Sequence, residues 1–498
     1  MSLILETPTV LRVEGHSRQV LERLLTYRDK SVDFELQKFK KSAFYHRRQL
    51  GIDGYEARLA ELKAAQKQCL LYEDEKGLFT LSGFANLLEN RLGDKVQRGY
   101  DMPCKLELTG NPGNPPRPYQ QAGDDALLLA KHAAVEVGTG LGKSLMAEVL
   151  ERHLGLQLVL MAPSKNIAEQ LYDAFVGAFG KAKVGFFGDG KHEFTKLITV
   201  AIAASLTRIE EGTAAWNALS KAKVFIADES HLTAAKTLKH VCLGLMANAP
   251  YRFFFSGTQL RADGKDLLLE GITGPVVFRM TVREGVDQGY LAKPFFRIVN
   301  VGTSKPRYYS QDANRMTAAH LFYNDEVVSA AALIANMSVS QLNQQVLVLV
   351  EEYEQFARLL PHLRHEVEFA HATLTKENLQ YVPERYQKVD NKALVNAFNA
   401  RKFPILVGTS CISTGTDIQP VENLIYLCGG KSEVQVRQAC GRGTRMIPGQ
   451  GKTCFNFTDF RVHHDGPDGG PGIVERHLEA RKEIFEDIYP GTTTEVRL

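Results

Sequence analysis

From Tyr119 onward the chain alternates short, continuously apolar runs with longer stretches whose apolar positions recur at helical spacing. The runs Leu156 to Ala162, Leu197 to Ala201, Val224 to Ala227 and Tyr251 to Ser256 predict strands buried on both faces, as in a parallel sheet covered by helices. A second block repeats the pattern at Val346 to Val350, Ile405 to Gly408, Leu424 to Leu427 and Thr453 to Thr458. Between the blocks, Ser304 to Thr317 is polar and without clear period, which predicts an inter-lobe connection over residues 301–320. The first hundred residues are different. Thr9 to Val13 predicts a strand, Ser17 to Tyr27 a helix, Cys69 to Leu81 a hairpin turning at Lys76-Gly77, and Ser82 to Arg91 a second helix. Residues 101–118 carry Asn111-Pro112-Gly113-Asn114-Pro115-Pro116, which is linker composition. The expected order is an accessory domain over 1–100, a linker over 101–118, an α/β lobe over 119–300 and another over 321–498.

Composition narrows the class without naming a partner. The 498 residues are 44% hydrophobic and 23% charged, with no apolar run of membrane-spanning length and no secretory leader pattern at the start. Seven scattered cysteines without a CxxC pair point to reduced thiols in a cytoplasmic setting rather than to a zinc ribbon or disulfide scaffold. A net charge of +3 neither requires nor excludes nucleic acid, because a local basic stripe matters more than the total.

The chemistry gathers at predicted strand ends. Val135-Glu136-Val137 leads into Gly138-Thr139-Gly140-Leu141-Gly142-Lys143-Ser144 and then a helical pattern. Backbone N–H groups of such a loop cradle phosphates, Lys143 reaches the β- and γ-phosphates, and Ser144 offers a hydroxyl to magnesium. The generic motif asks for glycine where Val137 stands. Asp228 and Glu229 follow Val224 to Ala227, at the carboxyl end of a buried strand. There Asp228 can hold magnesium, and Glu229 can orient or deprotonate an attacking water. Ser256-Gly257-Thr258 ends another strand and could relay nucleotide state. In the second block, Gln438 to Arg445 reads QACGRGTR. Arg442 and Arg445 stand three apart and so point to nearly the same side of a helix, where guanidinium groups could meet a γ-phosphate. Thr409 to Asp417 follows the strand Ile405 to Gly408, with hydroxyls and Gly415 suited to phosphate backbone. His463-His464 beside Asp465 lacks a matching ligand set and reads as a surface turn.

Taken together, Arg117 to Arg461 resembles the superfamily 2 helicases and translocases. The resemblance implies two tandem RecA-like lobes, ATP and Mg2+ as cofactors, and movement on nucleic acid. Arg117, Tyr119 and Gln120 resemble the adenine-recognition element, and GTGLGKS resembles motif I, where that family tolerates Val137. Pro163, Ser164 and Lys165 resemble motif Ia, and Ser205 lies in the next strand-contacting element. Asp228-Glu229-Ser230-His231 resembles a DEAH-type motif II with serine in place of alanine. Ser256 and Thr258 belong to motif III. Thr409, Thr414, Gly415 and Asp417 resemble motif V, and Gln438, Arg442 and Arg445 resemble motif VI with its arginine fingers. His231, Ser256, Thr258 and Gln438 would then couple nucleotide to movement. The passage Gly289 to Lys293 is similar to the branch holding UvsW-like and XPB-like helicases and the type I and III restriction translocases.

That branch implies branched or forked DNA as substrate, with no membrane role and with recombination or replication proteins as partners. It also implies a cytoplasmic enzyme, nucleoid-associated or in a host cytoplasm if phage-encoded. The basic–aromatic segment Lys38 to Arg48, with Lys40, Lys41, Arg47 and Arg48, is the clearest candidate for duplex or junction contact, or else a solvated face. An RNA helicase, and a DNA-stimulated translocase or restriction motor that opens no strands, remain alternative readings. A non-catalytic binding module is disfavoured by Lys143, Glu229 and Arg442.

Overall fold

The computed structural model describes residues 1–105, 115–230, 235–257, 266–304, 312–409, 418–419, 421–446, 451–466 and 469–497. Contacts divide the chain into one unit of Met1–Val137 with Gly142–Arg279, and another of Gly138–Leu141 with Met280–Leu498.

The first unit begins with a five-stranded sheet. Its strands are β1 (Ser2–Leu5), β2 (Val10–Glu14), β5 (Leu71–Asp74), β6 (Gly77–Leu81) and β7 (Val96–Arg98), in the order β5-β6-β2-β1-β7. The hairpin predicted from the sequence is the β5–β6 pair, with Asp74 opposite Gly77. Arg12 on β2 locks this sheet, donating to Asp74 at 2.6 Å and pairing with Glu6 at 2.5 Å. Helix α1 (Arg18–Leu24) follows β2, and the sheet is then interrupted. A ribbon of β3 (Thr26–Arg28) and β4 (Lys67–Cys69) carries a helical hairpin of α2 (Lys30–Lys41) and α3 (Ala43–Ala65). The hairpin has a small core of its own, Leu36, Phe39, Tyr55 and Leu62.

The accessory sheet is packed onto the following lobe within the same unit. Helix α4 (Ala85–Leu92) is preceded by a tight turn at Ser82-Gly83-Phe84. A Cβ on Gly83 would lie 2.3 Å from the Glu270 carbonyl, so only glycine allows this approach. Phe84 is fully buried, and the Ser82 hydroxyl lies 3.2 Å from His132 Nδ1. Leu3, Leu11, Leu21 and Phe84 accordingly belong to the same apolar core as Ala134, Phe225 and Phe254.

The lobe itself is entered by α5 (Pro118–Ala130), whose Pro118 suits the first turn. The elements β8 (His132–Val137), α6 (Lys143–Leu154), β9 (Leu158–Ala162) and α7 (Lys165–Phe179) come next. After them lie β10 (Val184–Gly188), β11 (Lys191–His192), β12 (Ile198–Ile202), β13 (Val224–Ala227), β14 (Tyr251–Ser256) and β15 (Val276–Met280). The order across the sheet is β11-β10-β12-β9-β13-β14-β8-β15. The pairings from β10 through β8 are all parallel. Every residue of β9, β13 and β14 is buried, which is the continuous apolar signature read from the sequence.

The second unit holds a seven-stranded sheet. It comprises β16 (Lys293–Thr303), β17 (Val346–Leu349), β18 (Val367–Ala370), β19 (Ile405–Gly408), β20 (Asn423–Tyr426), β21 (Cys454–His463) and β22 (Thr493–Arg497). Its order is β18-β19-β17-β20-β21-β16-β22, with every pairing parallel. The molecule therefore has two tandem RecA-like parallel-sheet lobes and a smaller mixed N-terminal region. The expected lobe boundary at 300 differs from the pairing. Lys293 to Asn300 pair with Cys454 to Arg461, so β16 is a strand of the second sheet. A buried ion pair fixes one side of this sheet: Arg481 donates to both oxygens of Asp459 at 2.7 and 3.0 Å. His464 is buried and stacks on His320 at 3.7 Å between ring centroids, which corrects its reading as part of a surface turn.

Two acids in the first lobe are buried without a hydrogen-bond partner among the described residues, Asp124 on α5 and Glu151 on α6. Burial raises each pKa to about 9. The folded state then holds protons that the unfolded chain releases near pH 4, so stability falls as pH rises from about 4 to about 9. Asp124→Asn with Glu151→Gln should flatten that fall and raise the melting temperature at pH 8. An unchanged pH profile of melting would contradict the assignment.

Candidate nucleotide and nucleic-acid site

The carboxyl ends of β8, β14 and β13 lie side by side, because these three strands are consecutive neighbours in the sheet. The chain segments that leave them carry the candidate groups. After β8 the loop turns through Gly140 at φ +90° and Gly142 at φ +81° and enters α6 at Lys143. These left-handed angles explain the glycines. A Cβ at Gly142 would also lie 2.6 Å from Gln120 Nε2. Val137 is the last residue of β8 and fully buried, so its position belongs to the strand and needs no glycine.

Lys143 Nζ lies 2.8 Å from Glu229 Oε1 and donates to the Val137 carbonyl at 3.3 Å. The loop lysine and the acidic motif after β13 thus converge on one point. Glu229 itself has φ +44°, an uncommon backbone state for a residue with a side chain. Such strain persists where the surroundings hold it and often marks a functional position. Asp228 is buried, and its backbone N–H donates to Met161 of β9 at 2.9 Å. Burial raises its pKa, the neighbouring Glu229 carboxylate adds to the rise, and Lys143 opposes it. Asp228 Oδ1 has no hydrogen-bond partner among the described residues. A buried oxygen of this kind, with the Ser144 hydroxyl at the start of α6, is a donor set that suits Mg2+.

Gln120 is buried within α5, accepts from Arg117 N–H at 2.8 Å and donates to the Gly142 carbonyl at 3.3 Å. Its amide therefore joins the candidate base-recognition element to the phosphate loop. Arg117 donates to the Tyr119 hydroxyl at 3.3 Å. Ser256 is fully buried at the end of β14. The serine of the acidic motif, which the sequence marked only as a departure, donates from Ser230 Oγ to the Phe255 carbonyl at 3.4 Å. That hydroxyl ties the acidic loop to the strand carrying Ser256, a link alanine could not make.

Pro163, Ser164 and Lys165 leave β9, and Ser205 sits just after β12, the neighbouring strand. These candidate strand contacts share the same sheet edge, displaced toward β9 and β12. Lys165 is paired with Asp189 at 2.5 Å, which holds its pKa up. Ser164 starts α7, and its buried hydroxyl has no hydrogen-bond partner among the described residues. His231, Thr258, Thr414, Gly415 and Asp417 lie outside the described residues.

In the second unit, Thr409 follows β19 and is buried, with its N–H on the Ala370 carbonyl at 3.1 Å. Gln438 and Arg442 lie on the helix Glu433–Gly443, and Arg442 is buried. Arg445 does not share that helix. The helix stops at Gly443, which packs against Phe455 so tightly that a Cβ would meet the ring at 2.0 Å. Lys452 donates to the Gly443 carbonyl and satisfies the helix end. The two arginines are therefore related by a helix terminus and not by one helical face. Burial lowers the pKa of Arg445 to about 10.

With this geometry in place, the matches to known proteins are consistent with it. Residues 114–261 match the family model described as "Type III restriction enzyme, res subunit". Residues 329–447 match the "Helicase conserved C-terminal domain". The fold is that of a superfamily 2 helicase or translocase. A protein designated helicase 22 in Sulfolobus islandicus filamentous virus (isolate Iceland/Hveragerdi) is 23% identical over 379 residues, covering 72% of this chain and 64% of that protein. The DNA 3'-5' translocase XPB2 of Sulfurisphaera tokodaii is 24% identical over 177 residues, covering 36% of this chain and 38% of that one. A solved fragment assigned as the HsdR subunit of a type I restriction enzyme from Vibrio vulnificus YJ016 superposes with a TM-score of 0.54 at 18% identity. That superposition covers 77% of this chain and 68% of the fragment. The chain thus spans less than two thirds of the length of both curated relatives. Among the described residues no helix is long and apolar enough to cross a membrane.

Lys143→Ala removes the charge at the point where loop and acidic motif converge. The expected result is a loss of ATP affinity of about 10- to 100-fold, read by fluorescent-nucleotide titration. Binding as tight as wild type would remove the loop from the nucleotide site.

Proposed function

We propose that this chain is an ATP-dependent DNA helicase or translocase that remodels branched DNA: forks, Holliday junctions or displacement loops. The observation that carries the ATPase reading is the 2.8 Å approach of Lys143 to Glu229 beside the buried, unpartnered oxygen of Asp228. In this reading Lys143 and the loop N–H groups hold the phosphates, and Ser144 and Asp228 hold Mg2+. The bound cation neutralises phosphate charge as it develops. Glu229 positions the attacking water and takes its proton. Arg442 and Arg445 are the candidates to serve the γ-phosphate. Pro163, Ser164, Lys165, Ser205, Thr409, Thr414 and Gly415 contact the tracked strand, and His231, Ser256, Thr258, Gln438 and Ser230 pass nucleotide state to them.

Two supports favour DNA. One relative is named as a DNA translocase, and one structural neighbour is a type I restriction subunit. Phosphate contacts alone carry little sequence information, so selectivity for branched substrates falls to the N-terminal region. Lys40, Lys41, Arg47 and Arg48 are all exposed on the α2–α3 hairpin and suit duplex phosphates near a junction. The restriction-type match over residues 114–261 supports a second reading, translocation along duplex without strand opening.

ATP turnover and product analysis across single-stranded, duplex, forked, four-way and RNA substrates separates these readings. Displaced strand from a fork supports unwinding. DNA-stimulated turnover without displaced strand supports pure translocation, and stimulation by RNA alone would overturn the DNA assignment. Glu229→Gln should retain ATP while lowering turnover about 10²- to 10⁴-fold, and undiminished turnover would contradict its role. Neutralising Lys40, Lys41, Arg47 and Arg48 together should flatten the log–log salt dependence of fork affinity by about three to four units. An unchanged slope would exclude that surface from DNA contact.

A further inference from the structure

The α2–α3 hairpin exposes large apolar side chains where a solvated helix pair would expose polar ones. Phe44 is 85% exposed, Ile52 71%, Phe34 70% and Tyr45 59%. Phe44, Tyr45 and Ile52 fall within the stretch where α2 ends, Ser42 turns the chain, and α3 breaks at Gly51 with φ +73°. The break separates a short tip helix from the long returning helix. It needs glycine for its backbone angle and not for space, since a Cβ there would meet nothing within 4 Å.

The inward face of the same tip is fully used. Phe39 stacks on His46 at 4.4 Å and on Tyr55 at 5.0 Å, and the Arg47 guanidinium lies over Tyr55 at 4.7 Å. The exposed rings are therefore not a core that failed to form; the hairpin already has one. Isolated exposed apolar residues are ordinary on protein surfaces, but several together at a projecting tip call for a partner.

Charge selects that partner. Lys38 to Arg48 contains five basic residues and no acidic one. Lys38, Lys40, Lys41 and Arg48 make no ion pair among the described residues. Asp33 is answered by Arg28 at 2.7 Å, Glu35 by Arg58 at 3.0 Å and Glu56 by Arg47 at 3.6 Å. Asp53 beside Ile52 makes no ion pair among the described residues and is one acid against these cations. The tip thus combines unneutralised cations with unburied apolar faces, which matches a polyanion that has apolar faces of its own to stack against. A duplex end or fork is such a target, since its terminal base pair presents a π-face between two phosphate backbones.

We propose that the hairpin tip is a wedge: Phe44, Tyr45 and Ile52 press against the terminal base pair at a DNA fork while Lys40, Lys41 and Arg48 hold the flanking phosphates. This rests on the branched-DNA reading above and assigns strand separation to a specific element. Inserted apolar side chains unstack base steps, and phosphate contacts offset that cost.

The test uses the full-length chain and Phe44→Ser combined with Ile52→Ser, both exposed positions, with the melting temperature as a check on folding. A 2-aminopurine placed in the terminal base pair of a fork reports unstacking on binding alone, without ATP. Wild type should raise its fluorescence, and the variant should lose most of that rise while still bound at saturating protein. With ATP, the strand displaced per ATP hydrolysed should fall about tenfold in the variant. Equal fluorescence rise and equal displacement in both proteins would overturn the wedge. If the variant instead changes only self-association in sedimentation, the tip is a protein-docking surface and the wedge is likewise overturned. Failure of the branched-DNA reading is distinguishable, because wild type would then neither bind nor be stimulated by forked DNA over other substrates. Should the single pair prove poorly folded, Tyr45→Ser alone carries the same fluorescence comparison.

Discussion

A parallel sheet covered on both faces leaves only the loops at its strand ends available for chemistry, and this constraint organises the whole chain. In the first lobe it places the segments leaving β8, β14 and β13 next to one another, although they are far apart in sequence. In the second, β19 and β20 flank β17, so Thr409 and the helix Glu433–Gly443 follow strands only one apart in the sheet. No additional device is required to gather the polar groups. The apolar strands pay for the arrangement, and the loops inherit a common edge. Within that edge the candidate nucleotide groups and the candidate strand-contacting groups occupy different strand ends, so one rigid sheet can connect two kinds of contact.

The sequence made much of this legible because buried parallel strands are short, continuous and easily bounded. Val224 to Ala227 was a strand on inspection, and the carboxylates after it could only lie at its end. The convergence of Lys143 with Glu229 was readable from motif order, but their 2.8 Å spacing and the left-handed backbone of Glu229 were not. Helix termini were harder. The spacing of Arg442 and Arg445 suggested one helical face, yet Gly443 against Phe455 ends the helix between them. That contact is long-range in packing terms and leaves no local trace. The same holds for His464, whose burial depends on stacking against His320, more than a hundred residues away. Nothing in the composition of β16 says which sheet it joins, and its pairing with β21 places it in the second.

The N-terminal region shows the opposite pattern of success. Its hairpin and the helices beside it are legible in the sequence, whereas α2 and α3 show there only as a basic–aromatic segment. In α3 the apolar residues divide between an inward core and an outward tip across the break at Gly51, and the division blurs the helical period. Ser230 is a smaller example of the same limit. As a letter in a motif it was a mild substitution, and in the structure it is a hydrogen bond from the acidic loop to β14.

The neck of the α2–α3 hairpin has a consequence of its own. Chain leaves and returns through the short ribbon in which Arg28 stands opposite Lys67, and Leu70 N–H closes onto the Leu25 carbonyl at 2.9 Å. Everything beyond that neck is held by its own four-residue core and not by the core that the accessory sheet shares with the first lobe. Substitutions in the arm are thereby uncoupled from the folding of the lobe that carries the phosphate loop. An appendage tied on through so narrow a neck can be lengthened, exchanged or removed without disturbing the fold that carries the phosphate loop.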